Sequence, residues 1–172
     1  MSEAYKTEIP TVAELPNYLG KELGISPWFT VTQEDVNTFG VVTGDEQWIH
    51  MNPELSTKYS PYGATIAHGF FVLSLGPKLS AECYSVGDAA MGVNYGLDKV
   101  RFINATKVGA RLRARVVLSE ISPIKGGMKY KSTITFELEG EEKPACVAEM
   151  IAHIYGNAEQ KKAMDALLAA EG

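Results

Sequence analysis

"HGFFVLSLGPKLSAECY", His68 to Tyr84, is apolar nearly all the way round its first two helical turns. A surface helix divides into an apolar stripe and a polar face, so a helix without that division belongs inside a domain, wrapped by another layer. Pro77 has no N–H to donate and its ring crowds the preceding turn, which predicts a kink or a helix already bending at that point. Some other part of the chain must supply the wrapping.

The period changes downstream of the helix. "MGVNYGLDKVRFI", "GARLRARVVLSEISPI", "GGMKYKSTITFELEG" and "EKPACVAEMIAHIYG" are strand-length runs rich in valine, isoleucine, threonine and tyrosine. Arg111, Arg113 and Arg115 alternate with Leu112, Ala114 and Val116, so the arginines line one strand face, read here as a solvated one. Lys129 and Lys131 alternate likewise, His153 alternates within the last run as a structural residue, and Gly126-Gly127 and Gly140 mark turns. One buried helix followed by about four long antiparallel strands predicts an α+β domain, a curved antiparallel sheet wrapped around a central apolar helix. That is the hot-dog arrangement. Its edge strand and exposed helix end need cover, which predicts a homodimer. The tail from residue 157 to 172 carries Asn157 and Gln160 in capping-box spacing and a Met164/Leu167/Leu168 stripe, the pattern of a docked amphipathic helix.

Upstream, residues 1–27 read as a helical extension. Leu15, Leu19 and Leu23 of "TVAELPNYLGKELG" recur at helical spacing with Gly24 as the stop, and Pro16 must sit early or break the helix. "SPWFTVT" is a short strand candidate. In "TQEDVNTFGVV", Thr32 is an N-cap, acids fill the first turn, and Val36 and Phe39 share a face. Asn52 followed by Pro53 reads as N-cap plus first helical position of a helix running to about Tyr59.

The 172 residues are most simply one domain, 1–172, and their 45% hydrophobic and 22% charged composition is that of an ordinary globular protein. A net charge of −5 gives no global pull toward nucleic acid. The first twenty residues lack the apolar core of a signal peptide, and the longest apolar stretch, Phe70 to Leu75, is far too short to span a bilayer, so no membrane partner is expected. Cys83 and Cys146 show neither metal-ligand spacing nor a disulfide framework. A cytoplasmic enzyme or binding protein is the resulting expectation.

Two stretches carry chemistry. "VVTGDEQWIHMNPELS", Val41 to Ser56, holds Asp45 and, five residues on, His50. An aspartate titrates near ~3.9 and a histidine near ~6.5, so neutral pH leaves one ionised and the other poised. Placed around one water, they can remove a proton from it and return one to a substrate carbon. The same residues also suit a plain surface turn beside a half-buried histidine. The second stretch is His68-Gly69, where the apolar helix begins. A helix start presents unpaired N–H groups, and a glycine there lets a substrate carbonyl approach them closely, an oxyanion-hole geometry. Gly69 equally suits close packing, and His68 reads as a cap or a third polar participant. Without HxH, HExxH or CxxC spacing, no metal is expected. G-x-S-x-G and G-x-G-x-x-G are also missing, which removes the serine-hydrolase and dinucleotide-binding readings.

"TGDEQWIHMNPE", "GATIAHGFFVLSL" and "NYGLDKVRFINATKVGARLRARVVLSEI", in this order, resemble the MaoC-like hydratases, which include the (R)-specific enoyl-CoA hydratases and a nodulation-protein-N-like branch. The resemblance runs from about Val31 to Tyr155. It implies a hot-dog dimer that reversibly hydrates a trans-2-enoyl-CoA to an (R)-3-hydroxyacyl-CoA, with no metal or redox cofactor and coenzyme A arriving as part of the substrate. It places the catalytic aspartate on Asp45, the histidine on His50 and the glycine whose N–H meets the thioester oxygen on Gly69. Asp45 and His50 would hold one water, which attacks the β-carbon while a proton reaches the α-carbon on the same face. Family members often read GD-x-N-P-[LI]-H, where this chain has Gln47-Trp48-Ile49, so Gln47 is the expected amide beside the water. A serine that some members carry on the helix falls near Pro77, leaving Ser74 as its nearest stand-in. Lys99, Arg101 and Lys107 are candidates for the coenzyme A phosphates by charge and neighbourhood, and Tyr62 and Gly63 for the acyl tunnel. A hot-dog thioesterase and a non-catalytic acyl-thioester binding protein are the alternatives. The retained Asp45, His50 and Gly69 argue against the binder, which has no need of proton-transfer groups.

Overall fold

A computed structural model of the chain describes residues 3–170. In chain order they form β1 (Tyr5–Ile9), a 3-10 helix (Val12–Tyr18), β2 (Glu22–Ile25), β3 (Phe29–Thr30), α1 (Gln33–Thr43), α2 (Trp48–Met51), α3 (Pro53–Tyr59), α4 (Gly69–Ser74), α5 (Gly76–Cys83), β4 (Tyr84–Val86), β5 (Ala89–Phe102), β6 (Arg111–Ile124), β7 (Gly127–Leu138), β8 (Cys146–Gly156) and α6 (Ala158–Ala170). The strands make one sheet in the order β4-β1-β2-β6-β7-β8-β5, with β3 also pairing β6. Among the described residues every pairing is antiparallel except that of β1 with β4. Leu112, Ala114, Val116 and Leu118 of β6 point inward at period two, as do Ile134 and Phe136 of β7. They close on Phe71, Val72, Leu75, Leu79 and Cys83 of the central helix. This is the expected hot-dog α+β architecture.

The central helix breaks where its sequence says it must. Leu75 ends α4, and Gly76-Pro77 opens α5 with the proline in its first turn. The wrapping is incomplete on one side, because Phe70 remains 69% exposed. The α5 end docks through Gly24. A β-carbon there would lie 2.1 Å from the Cys83 carbonyl oxygen, so only a glycine permits the contact. Losing a fully buried residue such as Leu79 would cost about 2–5 kcal/mol.

Two expectations are corrected. The expected helical extension over residues 1–27 is, among the described residues, a strand, a 3-10 turn and a second strand. Leu15 and Leu23 are buried while Leu19 is half exposed, so their four-residue spacing is a coincidence of two different elements. Gly24 lies within β2 rather than stopping a helix. The arginine face of β6 is ion-paired rather than solvated: Arg111 pairs with Glu139, Arg113 with Glu137, and Arg115 with Glu137 and Glu22. Arg113 is buried, its guanidinium 4.5 Å from the Trp28 ring centroid. The helix starts are as read. Thr32 and Asp35 form a capping box, Asn52 caps α3 ahead of Pro53, and Asn157 Oδ1 accepts from Gln160 N at 3.0 Å. The side chains of the Met164/Leu167/Leu168 stripe lie outside what the structure describes. Among the described residues no helix is long and apolar enough to cross a membrane.

Candidate active site

Gly44, in the left-handed region at φ 73°, ends α1 and turns the chain so that Asp45 faces back toward α4. One turn of helix, α2, then carries His50 inward, leaving it 8% exposed. The extended stretch before α4 runs alongside. Ile66 N donates to Ile49 O at 3.0 Å, and Ala67 N donates to Thr106 O at 2.7 Å. His68 follows at the α4 N-cap, only 3% exposed. Main-chain ladders thus bring two histidines, eighteen positions apart, ring to ring. Their centroids lie 3.8 Å apart at 29°, with Phe39 against the other side of His68 at 5.2 Å.

The hydrogen bonds fix both tautomers. His50 Nδ1 lies 2.7 Å from Ile66 O, and a carbonyl only accepts, so Nδ1 carries the proton and Nε2 is left as the acceptor. His68 Nε2 donates to Asp45 O at 2.8 Å, which leaves its Nδ1 buried and without a partner. Burial, reinforced by the like charge of a protonated His68, lowers the His50 pKa, against the pull of the Ile66 carbonyl and the Asp45 carboxylate. His50 is therefore a neutral base at neutral pH. The Asp45 carboxylate is 55% exposed, with Oδ2 3.9 Å from His68 Nε2. One atom from each of Asp45, His50 and His68 falls within 4.8 Å of the others. That spacing is long for direct hydrogen bonds and suits a bridging water. It also suits a metal ion, but the His68 nitrogen nearest Asp45 is already a donor to a carbonyl.

His50 and Gly69 line one cavity of about 240 Å³, with Tyr62, Val72, Phe102 and Thr106. Asp45 stands outside its wall. Gly69 N has no acceptor among the described residues, as expected of a first-turn N–H. A β-carbon on Gly69 would come 2.9 Å from the Phe102 ring, so the glycine is required here by packing as well as by any approach of a ligand.

The remaining candidates divide. Lys107 pairs by its backbone with Ile66 and is exposed near the cavity. Arg101 points to the face of β5 opposite Phe102, and Lys99 is paired with Glu149 at 3.1 Å, so neither faces the cavity. Ser74 turns back to the Phe71 carbonyl at 2.7 Å and is exposed. The Gln47 amide makes no hydrogen bond among the described residues; its backbone oxygen accepts from His50 N.

Two residues escaped the sequence reading. Gln33 Nε2 donates to the His50 carbonyl at 2.7 Å while its Oε1 accepts from the buried Thr65 hydroxyl at 2.6 Å, so it braces the histidine's backbone. Thr106 places a buried hydroxyl without a partner in the cavity wall. A polar residue in a helix's first turn and a threonine in a loop carry no pattern that marks them.

A helix held in an antiparallel sheet, with a carboxylate and two imidazoles gathered at its N-terminal end, defines a hot-dog protein with a cluster of titratable groups at one cavity. The chain belongs to the MaoC-like domain family, whose match covers residues 14–139. It is 45% identical over 142 residues to 3-hydroxyacyl-thioester dehydratase Z of Mycobacterium tuberculosis, covering 82% of this chain and 93% of that one. It is 43% identical over 150 residues to Nodulation protein N of Rhizobium leguminosarum bv. viciae, covering 84% and 91%. In fold it is similar to the unliganded (R)-hydratase PhaJ1 of Pseudomonas aeruginosa, with TM-score 0.70, 18% identity and 86% of each chain covered.

Proposed function

We propose that this chain is an (R)-specific enoyl-thioester hydratase, acting reversibly as a 3-hydroxyacyl-thioester dehydratase. The observation that carries the reading is the joint placement of a neutral His50 and the Gly69 N–H on one cavity, with the Asp45 carboxylate within reach of the same water. The dehydratase relative at 45% identity supports it. A thioester oxygen on the Gly69 N–H gains negative charge as water adds to the β-carbon. The water directs its hydrogens to His50 Nε2 and Asp45 and its lone pair to that carbon. The carbon–carbon π bond breaks, a C–O bond forms at the β-carbon, and the proton released by the water is returned to the α-carbon on the same face. His68 is a positioning residue that fixes the Asp45 main chain and the His50 ring. Coenzyme A enters as part of the substrate and the reaction needs no further cofactor.

The active form is a cytoplasmic homodimer. Among the described residues β5 is an edge strand paired only to β8, and it exposes Met91, Val93, Tyr95, Leu97 and Phe102. An apolar open edge of this length invites pairing with a second copy. The reading is tested by mixing the protein with crotonyl-CoA and following enoyl absorbance and free thiol together. Enoyl loss without thiol supports it, whereas thiol release marks a thioesterase and no change marks a binder.

A further inference from the structure

A second cavity, of about 340 Å³, lies further along the same helix. The first lies against the end of β5 and the segment after it, with Val72, Phe102 and Ala145, which precedes β8, in its wall; the second opens between the helix and the strands β5 and β8, with Pro77, Ser80 and Met150 in its lining. Between them stands the contact of Gly76 with Met150, whose sulfur would lie 2.9 Å from a β-carbon at position 76. An unbranched, adaptable methionine is the kind of side chain that yields to a ligand.

The second cavity is apolar in most of its wall but carries hydroxyls that are not fully used. Ser80 Oγ is buried with no partner among the described residues. The Tyr84 and Tyr130 hydroxyls are 2.8 Å apart and satisfy each other once, which leaves one of the two O–H hydrogens without an acceptor in that pair. Among the described residues no charged side chain is in the lining. Burial raises the pKa of both tyrosines, so both hydroxyls remain neutral donors. A plain hydrocarbon tail would leave these groups unsatisfied at a cost, and a carboxylate would find no cation.

We infer that the second cavity binds the distal part of a long acyl chain bearing a neutral oxygen, a hydroxyl or keto group, held by Ser80 and the Tyr84–Tyr130 pair. The inference rests on the hydratase reading and names its substrate class. The distance follows from two independent measures. Counted along α4 and α5, which join at Leu75, Gly69 to Ser80 spans about 16 Å at 1.5 Å per residue, and from Ala145, which leads into β8, to Met150 the extended chain advances about 16 Å at 3.3 Å per residue. An extended chain advances about 1.2 Å per bond, since three backbone bonds span about 3.6 Å. The oxygen therefore belongs about thirteen carbons from the thioester carbonyl.

The test compares 13-hydroxytetradec-2-enoyl-CoA with tetradec-2-enoyl-CoA, and uses hex-2-enoyl-CoA as a chain too short to reach the cavity. The expected result is a preference of about five- to ten-fold in kcat/KM for the hydroxylated chain, the scale of one well-made hydrogen bond. Ser80→Ala or Tyr84→Phe should remove that preference while leaving the six-carbon rate unchanged. Equal rates on the two long chains, or a preference that survives both substitutions, overturns the inference. If the six-carbon substrate is not hydrated at all, the hydratase reading fails instead. The cavity is then judged by calorimetry with saturated 13-hydroxytetradecanoyl-CoA against tetradecanoyl-CoA, where equal Kd values overturn it and a five-fold or greater preference of the same kind sustains it.

Discussion

Replacing His68 by phenylalanine keeps a flat ring between His50 and Phe39 but removes the Nε2–H that donates to the Asp45 carbonyl at 2.8 Å. That hydrogen bond is worth about 0.5–1.5 kcal/mol net, about two- to twelve-fold at 1.36 kcal/mol per decade. Its loss frees the main chain that aims the Asp45 carboxylate, and a misplacement of about 1 Å at a reacting group costs up to ~100-fold. The expected fall in kcat/KM for enoyl hydration is thus about 10- to 100-fold, carried by kcat rather than KM. A second readout separates positioning from packing. The charge of a protonated His68 is one of the causes that lower the His50 pKa, so its removal must move the acid limb of kcat/KM to higher pH. His68→Gln, which keeps an amide donor, should recover part of kcat, while His68→Ala adds a cavity and costs about 2–4 kcal/mol of stability. Hydration is followed by loss of enoyl absorbance across about pH 5 to 8. A folded His68→Phe protein with kcat/KM within about two-fold of the parent, and an unmoved acid limb, would refute the positioning role.

Asp45→Asn and His50→Ala should each lower kcat by about 10²–10⁴ with circular dichroism showing the fold retained; near-parental rates in either remove that residue from the mechanism. The asparagine variant keeps the main-chain carbonyl that His68 binds, so it reports on the carboxylate alone. Because the His50 pKa is lowered in the fold, the acid limb of the parent must lie below about 6.5. The stability that neutral His50 contributes is lost in the same direction, as pH falls from the unfolded value through the folded one, and an acid limb above 6.5 contradicts the burial argument. Gln33→Ala strands the buried Thr65 hydroxyl, so a loss of about 1–3 kcal/mol in chemical denaturation is expected, with kcat reduced because the His50 carbonyl loses its brace. Glu137 is partly buried, which pushes its pKa up, but hydrogen bonds from Arg115 and Arg113 outweigh that and hold it below its ordinary 4.5. Its contribution is complete above that pH and disappears as pH falls through the folded value. Glu137→Gln should therefore lower the melting temperature at neutral pH and flatten its decline in acid, and an unchanged acid slope would dismiss this pair as a source of pH dependence.

Short-range chemistry made most of the architecture legible. The Thr32 and Asn52 caps, the break at Gly76-Pro77 and the period-two strands each depend on neighbours a few residues away, and each stands where the pattern puts it. Leu15, Leu19 and Leu23 misled because β2 owes its conformation to β6, whose paired residues Arg115 to Val117 lie about ninety positions later. No local window contains that partner. The site divides in the same way. Asp45, His50 and Gly69 are legible as residue types beside turn and helix-start signals, whereas Gln33 and Thr106 acquire their roles only when distant segments meet. Gln47, chosen for its place in the motif, turned out to contribute a main-chain oxygen rather than its amide.

Both imidazoles of the candidate site are tethered to peptide oxygens, His50 to that of Ile66 and His68 to that of Asp45. Every amino acid supplies such an oxygen, so mutation of the residue at either anchor cannot delete it. The placement of the two rings is therefore insulated from much of the sequence around it. The walls of both cavities, built from side chains, have no such protection and are free to diverge. A lineage carrying this scaffold can reshape both cavities by point mutation while the tethers of the two imidazoles stay unchanged.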